Sequence, residues 1–222
     1  MSNNKIDIND RKDSKTKAIK AQKILVVEGQ DDWCFFKHFL EKKLKIKDVQ
    51  LIDIGGDGNF LTVLKVLKLS PKFDKVEKIG LIRDTDKDLQ KSFKRIKEAI
   101  EKGLQYKAPT NMNSWQKDEE HGIKLGVFLL PNNEEKGMLE TLCMQSVADD
   151  AIMPCLNAYF ECMDKVIPEN KLPKNIAKAR VQAFLASRKT YKSSVGFAAE
   201  KGYWNFDAEC MQEIKSFLLT FK

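Results

Sequence analysis

The chain contains Lys23-Ile24-Leu25-Val26-Val27-Glu28-Gly29 and, further on, Ile79-Gly80-Leu81-Ile82-Arg83-Asp84-Thr85-Asp86. Both segments begin with a short apolar run, and each run predicts a buried strand that ends in acidic residues. In an open parallel sheet, ligands bind at the edge formed by the carboxyl ends of the strands. If the two strands are neighbours, Glu28, Asp84 and Asp86 converge there, and a divalent cation would neutralise their mutual repulsion. The sequence therefore predicts a site for Mg2+ or Mn2+.

Strands and amphipathic helices alternate along the first two thirds of the chain. Asp31 and Asp32 are well placed to open a helix after the first strand, residues 49–54 predict a second strand, and the glycine-rich turn 55–58 leads into another helix. A further helix follows the aspartates, a long polar loop covers 103–120, and 122–130 predict a fourth strand. From residue 149 onward the pattern is almost wholly helical. We predict an α/β three-layer sandwich with a mostly parallel sheet and a helical C-terminal extension.

The composition sets the expected organisation and class of the protein. We expect a flexible basic arm over 1–22, an α/β core over 23–148 and a helical extension over 149–222 packed on the core. No run approaches the roughly 18 apolar residues of a membrane span, and the polar N-terminus lacks a secretory signal, so we expect a cytoplasmic protein with no membrane partner. Five scattered cysteines without a Cys-x-x-Cys pair predict free thiols rather than a zinc site.

The positive charge is concentrated in two stretches. The net charge is +7; residues 1–23 carry seven basic and three acidic residues, and residues 169–201 carry eight and two. A polyanion such as nucleic acid is a natural partner for such stretches, with Arg188, Lys189 and Lys192 as expected binding residues. The alternative is a solvated, lysine-rich surface without a specific ligand.

Further residues are candidates for chemistry at the predicted metal site. Glu135 and Glu140 follow the fourth strand, and one of the two, Glu140 or Glu135, is an expected ligand for a second cation. Phosphoryl transfer also requires a cationic side chain near the developing charge, and the candidates are Lys178, Arg180 and Lys189. The alternative is that these three basic residues only form the polar faces of helices.

The acidic motifs resemble the TOPRIM domain, the metal-binding module of topoisomerases, bacterial primases and overcoming-lysogenization-defect nucleases. The resemblance covers about residues 23–145. It implies that Glu28 acts as general acid or base and that Asp84 and Asp86 hold the divalent metal, while Asp88 extends the Asp-x-Asp pattern. The whole chain is similar to small, stand-alone TOPRIM-like bacterial proteins of unassigned function, through Leu130-Pro131-Asn132, Gly137, Leu139-Glu140, residues 178–187, and Gly196, Ala198 and Ala199 ahead of Gly202-Tyr203-Trp204.

The leading functional hypothesis is a metal-dependent nuclease or related phosphotransferase that acts on nucleic acid. The alternative is a non-catalytic TOPRIM-like module that binds nucleic acid or a nucleotide and recruits a partner protein. A phosphoacceptor receiver domain is a third reading, because Glu28, Asp31, Asp32 and Asp84 imitate its acidic pocket. That fold requires a Ser or Thr and then a Lys at the ends of later strands, and Leu129-Leu130-Pro131 supplies neither.

Overall fold

A central sheet organises the computed structural model, which describes residues 18–56, 59–85, 88–133 and 136–222. Within those ranges the sheet has five strands: β1 (Lys23–Val27), β2 (Val49–Asp53), β3 (Lys78–Asp84), β4 (Ser114–Lys117) and β5 (Lys124–Leu130). The strand order is β2-β1-β3-β5-β4, in which β4 runs antiparallel to β5 and the other pairs are parallel. The predicted α/β class with a mostly parallel sheet is confirmed.

Helices cover both faces of the sheet. They are α1 (Gln30–His38), which continues as a π-helical segment (Phe39–Leu44), α2 (Phe60–Lys68), α3 (Leu89–Gly103), α4 (Leu139–Ser146), α5 (Met153–Val166), α6 (Ile176–Ala186), α7 (Val195–Glu200) and α8 (Gln212–Leu219). Short 3-10 turns lie at 73–75, 169–171 and 209–211. None of the helices in the described ranges is long and apolar enough to cross a membrane.

The side chains of β3 show how the three layers form. Ile79 and Leu81 are fully buried in an apolar layer with α2 and α3. Ile82 is buried in the opposite layer, with α1, α4 and the C-terminal helices. Because successive side chains of a strand point to opposite faces, a sheet covered on both sides needs continuous apolar strands. The apolar runs of β1 and β3 satisfy that need.

The C-terminal helices share one apolar layer with α1. Phe184 of α6 and Phe217 of α8 belong to the same buried cluster as Leu25 and Phe35. The closest approach is at α7, where a Cβ added to Gly196 would lie 2.3 Å from the Cβ of Cys34 and 2.7 Å from the carbonyl oxygen of Asp31. The absence of a side chain at Gly196 therefore sets the distance between α7 and α1.

The last residues assigned to the N-terminal arm lie against the sheet. Ile19 is buried, and the side chain of Gln50 in β2 accepts a hydrogen bond from the backbone N–H of Lys20 (2.7 Å) and donates one to the carbonyl of Ala18 (2.7 Å). Ile19 packs in the apolar layer of α2 and α3, so these contacts lie on that face of the sheet. Residues 1–17 of the expected arm lie outside the described residues.

The expected loop over 103–120 contains the strand β4, which the sequence analysis did not predict. Its residues, Ser114–Lys117, are mostly polar, so the apolar alternation that marks a strand is missing. The indole ring of Trp115 lies on Gly126, where an added Cβ would come within 2.5 Å of the ring, and its Nε1 donates to the carbonyl of Phe217 (3.2 Å). Trp115 therefore packs β4 against α8 rather than offering an open face for a nucleobase.

We predict that Gly196→Ala lowers the free energy of unfolding by at least about 2 kcal/mol, because the new methyl group overlaps Cys34 and the backbone of α1. Chemical denaturation followed by circular dichroism measures the change. Gly29→Ala is the matched control, since its Cβ would meet no atom closer than 3.5 Å. Equal stability of the two variants would show that α7 and α1 are not in fixed contact.

Candidate metal centre

Two of the carboxylates singled out in the sequence, Glu28 and Asp84, lie at the ends of neighbouring strands. β1 and β3 pair in parallel, with Val26 opposite Leu81; Glu28 follows the end of β1, and Asp84 is the last residue of β3. The chain leaves β1 for β2 on one side and returns to β3 on the other. This change of direction is the topological switch point at which open α/β sheets bind ligands.

An acidic cleft of about 410 Å³ opens at this point. Its lining residues come from the turn into α1, the end of β3, the start of α4 and α6: Gly29, Gln30, Asp31, Asp32, Asp84, Leu139, Glu140 and Lys178. Four carboxylates and one ammonium group therefore face a single volume. A larger cleft, of about 560 Å³, lies around 202–207 but contains none of the residues singled out for chemistry.

Thr85 fixes the start of α4 beside the end of β3. Its backbone N–H donates to the carbonyl of Gly137 (3.0 Å), and the N–H of Gly137 donates to the Thr85 hydroxyl (2.8 Å). The hydroxyl in turn donates to the carbonyl of Leu130 (2.9 Å). As a result the N–H of Leu139, at the start of α4, donates to a carboxylate oxygen of Asp84 (3.1 Å), and Glu140 enters the cleft.

Burial and mutual repulsion raise the pKa of three carboxylates of the cleft. Desolvation, then the charges of Glu28 and Glu140, raises the pKa of Asp32 to about 7. Desolvation, followed by the charge of Asp32, raises the pKa of Asp84 well above its usual range, although the N–H of Leu139 opposes the shift. Desolvation also raises the pKa of Glu140, against the opposing charge of Lys178. The cleft therefore contains fewer positive charges than are needed to balance its carboxylates.

Two basic side chains pair with the acidic residues. The ammonium Nζ of Lys178 lies 3.9 Å from a carboxylate oxygen of Glu140, and its side chain is largely exposed. The Nε of Arg83 lies 3.4 Å from a carboxylate oxygen of Glu28. The Arg83 side chain is only 8% exposed, and it belongs to the opposite face of the sheet from Asp84.

The donor chemistry of the cleft fits Mg2+ or Mn2+, since Asp32, Asp84 and Glu140 offer carboxylate oxygens. The geometry of the described residues alone is incomplete, because no group of three or more potential ligand side chains converges among them. Asp86 and Glu135, two of the expected ligands, lie outside the described residues. A complete ligand set therefore requires Asp86 or a rotation of the side chains that line the cleft.

The remaining predicted site residues do not line the acidic cleft. The side chain of Asp88 caps α3 by accepting a hydrogen bond from the N–H of Lys91 (3.0 Å). Arg180 donates to the side chain of Asn157 and lies over the ring of Phe160. Arg188 forms a bidentate pair with Asp150 (2.8 and 3.1 Å). Lys189 is exposed, and Lys192 lies over the ring of Phe197.

Two residues that line the cleft, Asp31 and Asp32, were not predicted as metal ligands, and Asp32 is the more buried of the two. The sequence marked it as a residue that opens α1, and it does so, because its carboxylate accepts a hydrogen bond from the N–H of Gly29 (3.1 Å). The available signal was its spacing of four residues from Glu28, across a strand-to-helix turn. One turn of helix returns that side chain to the edge of the sheet where Glu28 lies.

We predict that Asp32→Asn stabilises the metal-free protein at about pH 8 by on the order of 3 kcal/mol and has little effect near pH 4. Because folding raises the pKa of Asp32 from 3.8 to about 7, the wild-type protein loses stability as the pH rises through that window, whereas the amide stays neutral. Chemical denaturation with EDTA at both pH values measures the difference. The same change in stability at both values would contradict the burial of a charged Asp32.

Comparisons with known proteins agree with the fold. The structure of hypothetical protein PH0156 from Pyrococcus horikoshii OT3 is similar over 90% of this chain and 92% of that chain, with a TM-score of 0.52 and 18% identity, which shows a common fold. The C-terminal region of the OLD protein of Xanthomonas campestris pv. campestris is similar over 90% of this chain and 96% of that chain, with a TM-score of 0.48 and 10% identity, too low to support an argument. No curated protein matches the sequence. A family model described as "Protein of unknown function (DUF3226)" matches residues 22–221, and the chain belongs to that family.

Proposed function

We propose that the protein is a divalent-metal-dependent nuclease, or a related phosphotransferase, that acts on nucleic acid at the acidic cleft. The observation that carries the proposal is the crowding of Asp32, Asp84 and Glu140 at the switch point, where burial and repulsion raise the pKa of each. In the absence of a cation, such a group of carboxylates lowers the stability of the fold. The occurrence of these carboxylates at one place therefore favours a functional role. The sequence resemblance to the TOPRIM module supports the same chemistry.

The roles follow from the positions of the side chains. Asp84, Asp32 and Glu140 would hold the cation together with Asp86, and Asp88 is retained as a more distant candidate. When bound, Mg2+ or Mn2+ polarises a phosphoryl oxygen and lowers the pKa of a bound water. Glu28 stands beside the cleft and would accept the proton of the attacking water. The adjacent guanidinium of Arg83 (3.4 Å) orients its carboxylate.

Lys178 is the basic residue that the cleft favours for stabilising the developing negative charge. It lines the cleft, and its ammonium group is within 3.9 Å of Glu140. Arg180 is a weaker candidate, because its guanidinium is occupied by Asn157. Three residues are proposed to bind the nucleic-acid backbone. Arg188 is paired with Asp150, whereas Lys189 and Lys192 form no ion pair among the described residues and are therefore the better candidates.

A binding module without catalysis is the second candidate function. It is favoured by one observation: three ligand side chains do not converge among the residues that the structure describes. The third reading, a receiver domain, is disfavoured by topology, since the order β2-β1-β3-β5-β4 with an antiparallel β4 differs from the parallel 2-1-3-4-5 order of flavodoxin-like folds.

We predict that Asp84→Asn reduces metal-dependent cleavage by at least about a hundredfold, because it removes a central carboxylate ligand. The assay compares single- and double-stranded DNA and RNA with Mg2+, with Mn2+ and with EDTA. Asp74→Asn is the control, since it removes an exposed carboxylate near the opposite end of β3. Full activity of Asp84→Asn would reject the metal mechanism. Metal binding without cleavage of any substrate by the wild-type protein would favour the binding module.

We also predict that Lys178→Gln lowers kcat by about tenfold or more with little change in KM or thermal stability, because the side chain is largely exposed and acts on developing charge. Lys174→Gln, at an exposed position just before α6, is the control for loss of positive charge. A change in KM of equal size in both variants would instead assign Lys178 to general attraction of the substrate.

A further inference from the structure

A second pocket lies at the same edge of the sheet but on its opposite face. It has a volume of about 180 Å³ and is lined by the first two residues of α2, by β3 and by α3: Phe60, Leu61, Arg83, Arg95, Glu98, Ala99 and Lys102. We call it the arginine pocket. No residue of the acidic cleft lines it, and Arg83 is the one residue of its lining that also contacts Glu28.

Arg83 is a buried cation whose hydrogen-bonding capacity is largely unused. Its side chain is 8% exposed, and its Nε, 3.4 Å from Glu28, lacks hydrogen-bond geometry. Within the described ranges neither terminal nitrogen of the guanidinium donates a hydrogen bond, although both belong to a side chain that lines the pocket. A guanidinium carries five N–H donors, and the contacts of this one, the Glu28 carboxylate at 3.4 Å and the ring of Phe60 with its centroid 6.0 Å away, leave donors available to a ligand. A ligand in the pocket could therefore supply hydrogen-bond acceptors for the guanidinium of Arg83.

The start of α2 presents further donors to the same pocket. Phe60 and Leu61 are its first two residues, and the side chain of Asn59, at the cap position, makes no capping hydrogen bond. The helix is nine residues long and follows a turn that contains Gly55 and Gly56, both at positive φ. The first N–H groups of a helix lack partners inside the helix and carry the positive end of its dipole. This end of α2 favours an anion.

The rim of the pocket is also basic. Arg95 is exposed on α3, and Lys102 lies 3.3 Å from Glu98, the acidic residue of the lining. Two arginines and a lysine thus face one carboxylate. A planar guanidinium and helix N–H groups together match the oxygens of a phosphate.

We infer that the arginine pocket binds a phosphate group. The source to which we assign it is a phosphodiester of the nucleic-acid substrate, and that assignment rests on the proposed function. Glu28 lies between the two sites, close to Arg83 on one side and to the acidic cleft on the other. A strand crossing the carboxyl edge of β1 and β3 would place one phosphate in the acidic cleft and a neighbouring phosphate in the arginine pocket. The second contact would fix the position of the strand.

The test measures binding in EDTA, so that it does not depend on cleavage. Fluorescence anisotropy with a labelled single-stranded oligonucleotide over a range of salt concentrations compares the wild-type protein with Arg83→Met, Arg95→Gln and Lys94→Gln. Lys94 is the matched control, because it is exposed on α3 next to Arg95 and does not line the pocket. Isothermal titration with inorganic phosphate and with a nucleoside monophosphate tests the alternative source. Thermal melting confirms that each variant is folded.

We expect Arg83→Met to weaken oligonucleotide binding about tenfold. Arg95→Gln should weaken it about threefold and lower the slope of log affinity against log salt by about 0.7, the value for one contact with a single strand. Lys94→Gln should change the affinity and its salt dependence by clearly smaller amounts. Arg95→Gln keeps the inference falsifiable if Arg83→Met does not fold.

The inference would be overturned if Arg95→Gln and Lys94→Gln changed the oligonucleotide affinity equally. It would also be overturned if the protein bound neither the oligonucleotide nor either of the two small phosphates. Arg95-dependent binding of the small phosphates without binding of the oligonucleotide would support the pocket and reject its nucleic-acid source. Arg95-dependent binding by a protein that cleaves nothing would support the pocket and reject the proposed function. Metal-dependent cleavage in which Arg95→Gln matches Lys94→Gln would reject the pocket alone.

Discussion

Thr85 joins the end of β3 to the turn before α4, and the acidic cleft depends on this contact. The Thr85 hydroxyl accepts from Gly137 and donates to Leu130, while its backbone N–H donates to the Gly137 carbonyl. Gly137 has room for no side chain, since an added Cβ would lie 2.9 Å from the hydroxyl of Thr141. Because these bonds are buried and directional, they hold α4 at a fixed position beside β3. Glu140 and Asp84 are thereby kept together despite their repulsion.

The stability of the fold is separated from the chemistry of the cleft. The apolar layers on both faces of the sheet bury the apolar residues of β1, β2, β3 and β5, and the contact of Gly196 with α1 attaches α7 to the same body. These contacts offset the repulsion among Asp32, Asp84 and Glu140, which by itself disfavours the folded state at neutral pH. Functional sites commonly retain such a locally unfavourable arrangement, which the surrounding structure compensates. A cation that neutralises the carboxylates would remove the cost.

The sequence predicted the parts of the fold that depend on local patterns. The runs that end at Val27 and Asp84 form neighbouring parallel strands, and the residues around Asp32 open a helix. The strand β4 was missed because its own residues are mostly polar and its packing depends on the contact of Trp115 with Phe217, about a hundred positions away. Asp32 was recognised as a helix start but not as part of the cleft, since its contribution depends on where α4 lies. The pairing of Arg188 with Asp150 also joins positions far apart in the chain, which no single-sequence pattern reveals.

The alternation of side chains along β3 explains why opposite charges meet at one edge without cancelling. Asp84 points to the face covered by α1 and α4, and Arg83, one residue earlier, points to the face covered by α2 and α3. If both lay on one face, the guanidinium would pair with Asp84 and supply the positive charge that the cleft lacks. Instead Arg83 contacts Glu28 beyond the end of β1. The period of two along a single strand therefore separates the carboxylates of the cleft from the guanidinium of Arg83.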